Sequence, residues 1–181
     1  MGTIELLFLG LGLSMDAAAV SISNTLAYPH LTWPTKLRMP LLFGLFQGLM
    51  PALGYLASGL FAVFIDAYAG SVTFFILCFI GGKMIIDIFY PKDGPISVPR
   101  FTWLQGCLQA VATSLDAFAV GISLRACSVP LGTACPIIAF VTFICCTISL
   151  FLGERFASFL GNKAAVLGGL LLIALGLKAL F

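Results

Sequence analysis

Long apolar segments, separated by short polar or proline-containing connections, make up almost the whole chain. A bilayer core of roughly 30 Å requires about 20 apolar residues in a helix. The pattern therefore predicts an all-α integral membrane protein with six transmembrane helices. The connection near Gly59–Ala67, apolar apart from Asp66, also fits a helix lying at the membrane interface. The six predicted spans are approximately Ile4–Asn24, Leu37–Ser58, Tyr68–Phe89, Thr102–Leu124, Leu131–Leu152 and Lys163–Leu180.

A ten-residue motif occurs twice and divides the chain into two halves. SMDAAAVSIS begins at Ser14 and SLDAFAVGIS at Ser114, and seven of the ten positions are identical. Three predicted helices precede the second copy, and an odd number of helices per half gives the halves opposite orientations, as in many secondary transporters. We therefore expect a single membrane domain, 1–181, built from two inverted three-helix repeats at about 1–90 and 101–181.

The composition assigns this chain to the lipid bilayer and excludes several functional classes. Hydrophobic residues make up 61% of it and charged residues 9%, whereas soluble domains contain about 45–50% apolar and 25% charged residues. The net charge of +2 is not clustered, so we expect no nucleic-acid partner. The sequence contains no Gly-rich phosphate loop and no CxxC or HExxH motif, so we expect no enzyme and no prosthetic cofactor.

Lysine and arginine residues predict the orientation in the membrane. Connections one, three and five carry six of them, whereas the opposite side clearly carries only Arg125. Basic connections are retained in the cytoplasm, so we expect connections one, three and five there and both termini outside. The six basic residues are Lys36, Arg38, Lys92, Arg100, Arg155 and Lys163.

Asp16 and Asp116, the carboxylates of the two motif copies, are the main candidates for function. An ionisable group near the centre of a membrane helix is costly and usually functional. Each lies on the order of 20 Å along its helix, so in oppositely oriented helices the two reach similar depths. A structural hydrogen bond to a neighbouring helix readily explains a single aspartate of this kind. It explains a repeated pair at matching depth less well. Two facing carboxylates require a proton or a cation between them, and a divalent cation balances both charges.

Further oxygen atoms lie on the faces that carry the two aspartates. By helical spacing, Gln109, Thr113 and Ser123 share the face of Asp116, and Ser23 shares the corresponding face of the first copy. Carboxylate, hydroxyl and amide oxygens suit Mg²⁺, Ca²⁺ or Mn²⁺. The hydroxyls can instead bond to the backbone of their own helix, and the pattern alone does not decide between these roles.

Gln47 is a buried amide in the segment FGLFQGLMPALG, four residues before Pro51. Proline in a helix removes a backbone hydrogen bond and produces a kink. The amide can therefore serve as a cation ligand or form an interhelical hydrogen bond at the kink.

The cysteines mostly lie in apolar segments, where they behave as small hydrophobic residues. The sequence does not decide whether Cys127 and Cys135 form a disulfide.

These segments resemble the MntP family of bacterial manganese efflux pumps. SMDAAAVSIS, FGLFQGLMPALG, IGGKMIID and ATSLDAFAVGIS, in this order over the six predicted helices, carry the resemblance. It implies an exporter of Mn²⁺ in the bacterial inner membrane whose membrane-embedded aspartates are Asp16 and Asp116. The family's acidic residue after the Gly-x-x-Met-Ile segment corresponds to Asp87.

Together, the residues and the resemblance predict a secondary transporter that exports Mn²⁺ through a site at the membrane midplane. Ligand type alone does not separate Mn²⁺ from Fe²⁺, Mg²⁺ or Ca²⁺. Because the sequence has no nucleotide-binding module, we expect a cation gradient or exchange to drive export, with protons as the candidate partner. The expected partners are the divalent cation and the lipid bilayer; a homodimer is compatible with the sequence, which does not determine the oligomeric state.

Two other classes of function remain open from the sequence. An exporter of amino acids or other small solutes needs a cationic group for the substrate carboxylate, and Lys83 is the sequence's candidate for it. A non-transporting scaffold or enzyme subunit would tolerate Asp16→Asn and Asp116→Asn individually, whereas a transporter would not.

Overall fold

The computed structural model describes residues 2–28, 31–57, 60–89, 101–160 and 164–179, and within them it consists of six α-helices. Four are long and apolar enough to cross a membrane, namely α1, α2, α4 and, over Leu131–Phe159, α5. The apolar stretches of α3 and α6 are shorter, Tyr68–Lys83 and Val166–Lys178. The helices are α1 (Thr3–Ala27), α2 (Trp33–Leu56), α3 (Leu60–Phe89), α4 (Trp103–Ala126), α5 (Leu131–Leu160) and α6 (Ala164–Lys178).

Side-chain caps fix where the two motif helices begin. At the start of α4, the Thr102 hydroxyl accepts from the Gln105 backbone N–H at 3.4 Å, and the Gln105 side chain accepts from the Thr102 N–H at 3.0 Å. In α1, the Glu5 carboxylate accepts from the Gly2 N–H at 3.0 Å. These bonds satisfy N–H groups that have no partner within the helix. Glu5 and Gln105 therefore act as helix caps at corresponding positions of the two halves.

Several helix boundaries differ from the sequence prediction. The predicted second connection is helical from Leu60 onward and continuous with α3, because residues 60–67 contain neither glycine nor proline. The first turn of α2 already includes Pro34, since the first turn needs no N–H from that residue. The charged pair Glu154–Arg155 continues α5 rather than ending it, and Glu154 accepts from Lys36 at 2.5 Å.

Some sequence predictions fall outside the described residues. The third connection, the end of the fifth connection at Gly161 and Asn162, and the basic residues Lys92, Arg100 and Lys163 belong to this group. The side chain of Asp87, although it lies in α3, is also outside the described side chains. All six cysteines, including Cys127 and Cys135, are free thiols.

Helices of the first half pack mainly against helices of the second half. The closest associations are α1 with α5, α2 with α4, α3 with α6, and α2 with α5, followed by α1 with α6 and α3 with α4. Successive helices within one half make few contacts. The two halves are therefore interleaved, and each helix buries its surface against the other half of the chain.

The directions of packed helices alternate along the chain. The segment of α1 near Gly10 lies beside Val141, and the segment near Thr25 lies beside Gly153, so α1 and α5 run parallel. In contrast, α1 and α6 run antiparallel, because Ser23 bonds to Gly168 whereas Asp16, earlier in α1, bonds to Lys178, later in α6. The contacts of Gly70 with Ala179 and of Gly81 with Gly169 make α3 and α6 antiparallel as well.

The outer surface of the helix bundle carries large apolar side chains. On α2, exposed leucines recur about every four residues, which places them on one face of the helix. An uninterrupted apolar face of this kind is unusual on a soluble monomer and fits contact with lipid acyl chains. The exposed leucines of α2 are Leu37, Leu41, Leu45, Leu49, Leu53 and Leu56.

Close backbone approach between α2 and α4 depends on two glycines. A Cβ added at Gly121 would collide with the carbonyl of Pro51, and one added at Gly54 would collide with the carbonyl of Phe118. Because both collisions involve backbone atoms, a side-chain movement cannot relieve them. Small residues at membrane helix interfaces permit this approach.

We predict that Gly121→Ala destabilises the protein by about 1–3 kcal/mol through overpacking, measured as a lower midpoint of thermal unfolding in detergent. Gly82→Ala is the matched control, because a Cβ there meets no atom within 4 Å and alanine favours a helix by roughly 0.5–1 kcal/mol over glycine. The two variants should therefore shift the midpoint in opposite directions. Equal midpoints for both variants would contradict the proposed tight contact.

Candidate cation site between the two halves

The two motif copies place small, buried residues in the middle of α1 and α4. Ala17 and Ala117 have no exposed surface, which allows neighbouring helices to pack closely around each aspartate. The hydroxyl of Ser14 donates to the carbonyl of Leu11 at 2.8 Å, and that of Ser114 donates to Ala110 at 2.7 Å. Both motif serines are therefore satisfied by the backbone of their own helix.

Asp16 and Asp116 line the same cavity, which has a volume of about 400 Å³. Its walls come from α1, α3, α4 and α6, so both halves of the chain contribute. Neither carboxylate is enclosed, since the Asp16 side chain is 39% exposed and Asp116 is exposed. The other lining residues are Val20, Ala69, Gly70, Thr73, Leu77, Ala112, Thr113, Leu115, Ala119, Leu175, Lys178 and Ala179.

The cavity lies toward the end of the bundle at which α6 finishes. Lining residues of α6 come from its last turn and the residue that follows, and those of α3 come from its first two-thirds. Part of the wall is also core, because Val20, Leu77 and Ala112 are buried and belong to the largest apolar cluster. The carboxylates are therefore held on rigid, packed helices rather than on loops.

A lysine outside the two motif copies is bonded to one of the carboxylates. The Lys178 ammonium, on the last turn of α6, donates to Asp16 Oδ1 at 3.0 Å. It is the basic side chain among the described residues that line the cavity. In the sequence this lysine stands at the end of an apolar helix. That position does not by itself indicate a functional residue, because such lysines also occur at membrane surfaces.

Two threonines supply further oxygen atoms to the cavity. The Thr113 hydroxyl donates to the carbonyl of Gln109 at 2.9 Å, and the Thr73 hydroxyl of α3 donates to the carbonyl of Ala112 at 3.0 Å. A hydroxyl that donates its proton retains lone pairs that can face a cation. Thr113 is one of the residues predicted from the sequence, whereas Thr73 lies outside any motif and was missed.

The carboxylate of Asp116 is oriented by its own backbone. Its Oδ1 accepts from the N–H of Ala117 at 2.7 Å. Two carboxylates and two hydroxyls thus face one cavity, and such oxygen atoms suit a hard divalent cation. Among the described residues there is no cluster of three or more His, Cys, Asp or Glu side chains, so this set is a partial cage.

Gln47 ties the two motif helices together next to the aspartates. Its amide Nε2 donates to the carbonyl of Leu13 at 2.7 Å and to that of Thr113 at 3.3 Å. Each carbonyl lies three residues before an aspartate, so one side chain contacts both motif helices at corresponding positions. Gln47 is fully buried, and its Oε1 has no hydrogen-bond partner in the described part of the chain. It does not line the cavity.

The remaining predicted polar residues do not line the described cavity. Gln109 exchanges two hydrogen bonds with Asn24, at 2.8 and 3.0 Å, and both side chains are fully buried. Ser23 donates to the carbonyl of Gly168 at 2.5 Å, and Ser123 is exposed and bonds weakly to Ala119 at 3.4 Å. Helical spacing identified a shared face but not which bonds its members make.

Comparison with known proteins identifies the family. The model of a family described as "Putative manganese efflux pump" matches residues 30–180. The chain is 43% identical over 179 residues to a protein of Ruminiclostridium cellulolyticum, covering 98% of this chain and 95% of that protein. It is 40% identical over 177 residues to one of Campylobacter curvus (98% and 96%) and 42% identical over 173 residues to one of Methanosarcina mazei (95% and 92%).

All three relatives are named "Putative manganese efflux pump MntP". No solved structure matches the chain. The similarity to the relatives extends over nearly the full length of both chains, and it includes both halves and both motif copies. The chain therefore belongs to the MntP family of manganese efflux pumps, a family of transporters rather than enzymes.

Proposed function

We propose that this protein exports Mn²⁺ from the cytoplasm as a secondary transporter, with Asp16 and Asp116 as its ion ligands. The observation that carries the proposal is that these two carboxylates, from two copies of one motif, line the same cavity in a member of the manganese efflux pump family. A divalent ion between them balances two negative charges that would otherwise repel each other. Thr113 and Thr73 add hydroxyl oxygens.

All six helices cross the membrane in this proposal, as two inverted repeats. The alternating helix directions support it, because consecutive membrane spans must run in opposite senses. Exchanging the two halves converts the α1–α5 association into α4–α2, and the α1–α6 association into α4–α3, and both members of each pair occur. The short apolar stretches of α3 and α6 are compatible with crossing, since helices tilt and the bilayer adapts to their length.

The membrane is the bacterial inner membrane, and both termini face outward according to the distribution of basic residues. The end of the bundle at which α6 finishes is then the external end, and the cavity lies toward it. Asp87 and Ser123 remain candidates for the ion path on the cytoplasmic and external sides respectively. The carboxylates are thus in a conformation that faces outward, ready to release or receive an ion there.

The cytoplasmic end is closed by the amide pair in this conformation. Asn24 lies eight residues after Asp16, and Gln109 lies seven residues before Asp116, so the pair is about 10–12 Å from the carboxylates along the helices. Beyond it, the rings of Tyr28 and Phe101 meet edge to face at 5.7 Å between centroids. Export requires this end to open, which separates Asn24 from Gln109 while the external end closes.

The energy for export comes from exchange with protons. Moving a divalent cation out of an inside-negative cell costs about 4.6 kcal/mol per 100 mV of membrane potential. The sequence carries no nucleotide-binding module, whereas its two carboxylates can each bind a proton on the return step. Protons entering by the same carboxylates that release Mn²⁺ would link the two movements directly.

One observation favours a second candidate, an exporter of amino acids or similar solutes. Such a substrate needs a cationic group, and Lys178 of the cavity, rather than the exposed Lys83 of α3, supplies one. Its ammonium is already bonded to Asp16, which leaves manganese export better supported. Measuring cellular metals element by element, together with amino acids, in cells with and without the protein separates the two candidates.

We predict that Asp16→Asn and Asp116→Asn each reduce Mn²⁺ export by more than about 100-fold, because even groups that only position a metal ligand change affinity by 10–100-fold. Cellular manganese in a strain lacking its own exporter, and Mn²⁺ transport into inverted vesicles, measure this effect. Glu5→Gln is the matched control, since it removes an acid from the same helix but retains a helix cap. Normal export by either aspartate variant would refute the proposed site.

We predict that an imposed pH gradient changes the rate of Mn²⁺ uptake into inverted vesicles. Acid inside the vesicle, which corresponds to the external side, should accelerate uptake because protons leave as the metal enters. Reversing the gradient should slow uptake, and a protonophore should abolish the difference. A rate that ignores the gradient in both directions excludes proton exchange and leaves the metal site itself unaffected.

We predict that Asn24→Cys combined with Gln109→Cys, in a protein whose native cysteines are replaced, forms a disulfide that stops export. The bond would hold the cytoplasmic end closed, and a reductant should restore transport. The two single-cysteine variants are controls, because they cannot form this cross-link. Export at an unchanged rate by the cross-linked protein would show that this end does not open.

A further inference from the structure

The Lys178 ammonium is bonded to Asp16, one of the two carboxylates on which the proposed ion site depends. We propose that Lys178 is an internal counter-cation: its ammonium binds Asp16 when the cavity holds no metal, and Mn²⁺ binds by displacing it. This inference rests on the proposed function, and it adds a residue that sets the affinity of the site and its selectivity for doubly charged ions.

The electrostatic argument begins with the empty cavity. Two carboxylates that line one cavity repel each other, and the apolar helices beside them screen this repulsion less than bulk water does. The Lys178 ammonium, 3.0 Å from Asp16 Oδ1, supplies one positive charge to this pair. The empty site is then less unfavourable than two unpartnered acids, so the protein can pass through a metal-free state.

The same ammonium competes directly with a bound metal. A cation coordinated by Asp16 would share the carboxylate with a positive charge only a few ångströms away, and the two cations would repel each other. One of them has to leave. Because the lysine is covalently attached to α6, it stays close to the site and returns as soon as the metal departs, in the manner of a tethered ligand.

The position of Lys178 makes its displacement easy. Its side chain is 70% exposed, and Asp16 is the partner to which its ammonium is bonded. A lysine has a flexible four-carbon stem and a strongly hydrated head, so the ammonium can turn toward water without disturbing the packing of α6.

Two functional consequences follow for an exporter. Return of the ammonium to Asp16 favours release of the metal on the side toward which the cavity lies. A singly charged ion offers the carboxylates no more charge than the lysine does, whereas a divalent ion offers twice as much. Lys178 therefore disfavours monovalent cations, which are far more abundant, and leaves divalent cations able to bind.

The test measures Mn²⁺ binding to the purified full-length protein by calorimetry and by the electron paramagnetic resonance signal of free Mn²⁺. We expect Lys178→Gln to bind Mn²⁺ roughly 1.5- to fivefold more tightly than the wild type, the range that removal of an exposed ion pair produces. Lys178→Arg should stay near the wild-type affinity. Lys83→Gln, which removes an exposed lysine of α3, is the matched control and should change nothing.

The outcomes separate this inference from the proposed function. An affinity of Lys178→Gln that equals or falls below that of the wild type overturns the counter-cation role. If instead Asp16→Asn binds Mn²⁺ as well as the wild type does, the proposed metal site fails and the inference fails with it. Loss of binding in Asp16→Asn, together with unchanged binding in Lys178→Gln, leaves the site standing and removes only Lys178.

A second measurement needs no variant and applies if Lys178→Gln does not fold. Acylation of lysine amines in the wild-type protein, quantified by mass spectrometry, should increase at Lys178 when Mn²⁺ is added, because the displaced amine becomes available. Labelling of Lys83 should stay constant and serves as the internal control. Labelling of Lys178 that does not rise with saturating Mn²⁺ overturns the proposal.

Discussion

Two carboxylates of like charge share one cavity inside an apolar helix bundle, and the rest of the structure is arranged around that constraint. Charge of this kind is costly in a membrane unless it is partnered. The Lys178 ammonium neutralises part of it, and the backbone N–H of Ala117 bonds to the other carboxylate. Alanines beside each aspartate let the helices approach, and Gln47 holds the two motif helices together through carbonyls at corresponding positions. Each of these features lowers the cost of keeping the acids in place.

The two halves share a motif but differ at the ends of the motif helices, and the difference has a physical meaning. The Asn24–Gln109 pair joins α1 to α4 near one end with two directional hydrogen bonds. The residues at the corresponding positions of the other half are Leu124 and Leu9, which belong to a single apolar cluster. Separating buried amides leaves donors and acceptors unsatisfied until water enters, whereas apolar contacts have no such requirement. Two halves with unlike ends can therefore favour one conformation, which a directional transporter needs.

Much of the architecture was predictable because membrane helices follow local rules. Apolar length and proline position located all six helices, although α3 begins eight residues earlier than expected, since an apolar segment without glycine or proline has no reason to stop being helical. Helical spacing correctly put Thr113 on the face of Asp116, and both line the cavity. It also put Gln109 there, but the structure bonds this residue to Asn24, which lies 85 positions away. Spacing along one helix carries no information about a partner on another.

By itself, the sequence determined that the chain is helical and apolar, that a carboxylate motif occurs twice, and that the motif copies stand in different halves. Each of these properties depends on patterns among residues that are close together in the sequence. Only the tertiary structure decided that Asp16 and Asp116 line one cavity, that Lys178 reaches the first of them, and that Gln47 bonds to both motif helices. These contacts join residues separated by 34 to 162 positions, and they arise because interleaved packing brings α1, α4 and α6 together. Local patterns can identify the groups capable of chemistry, whereas packing selects which of those groups meet.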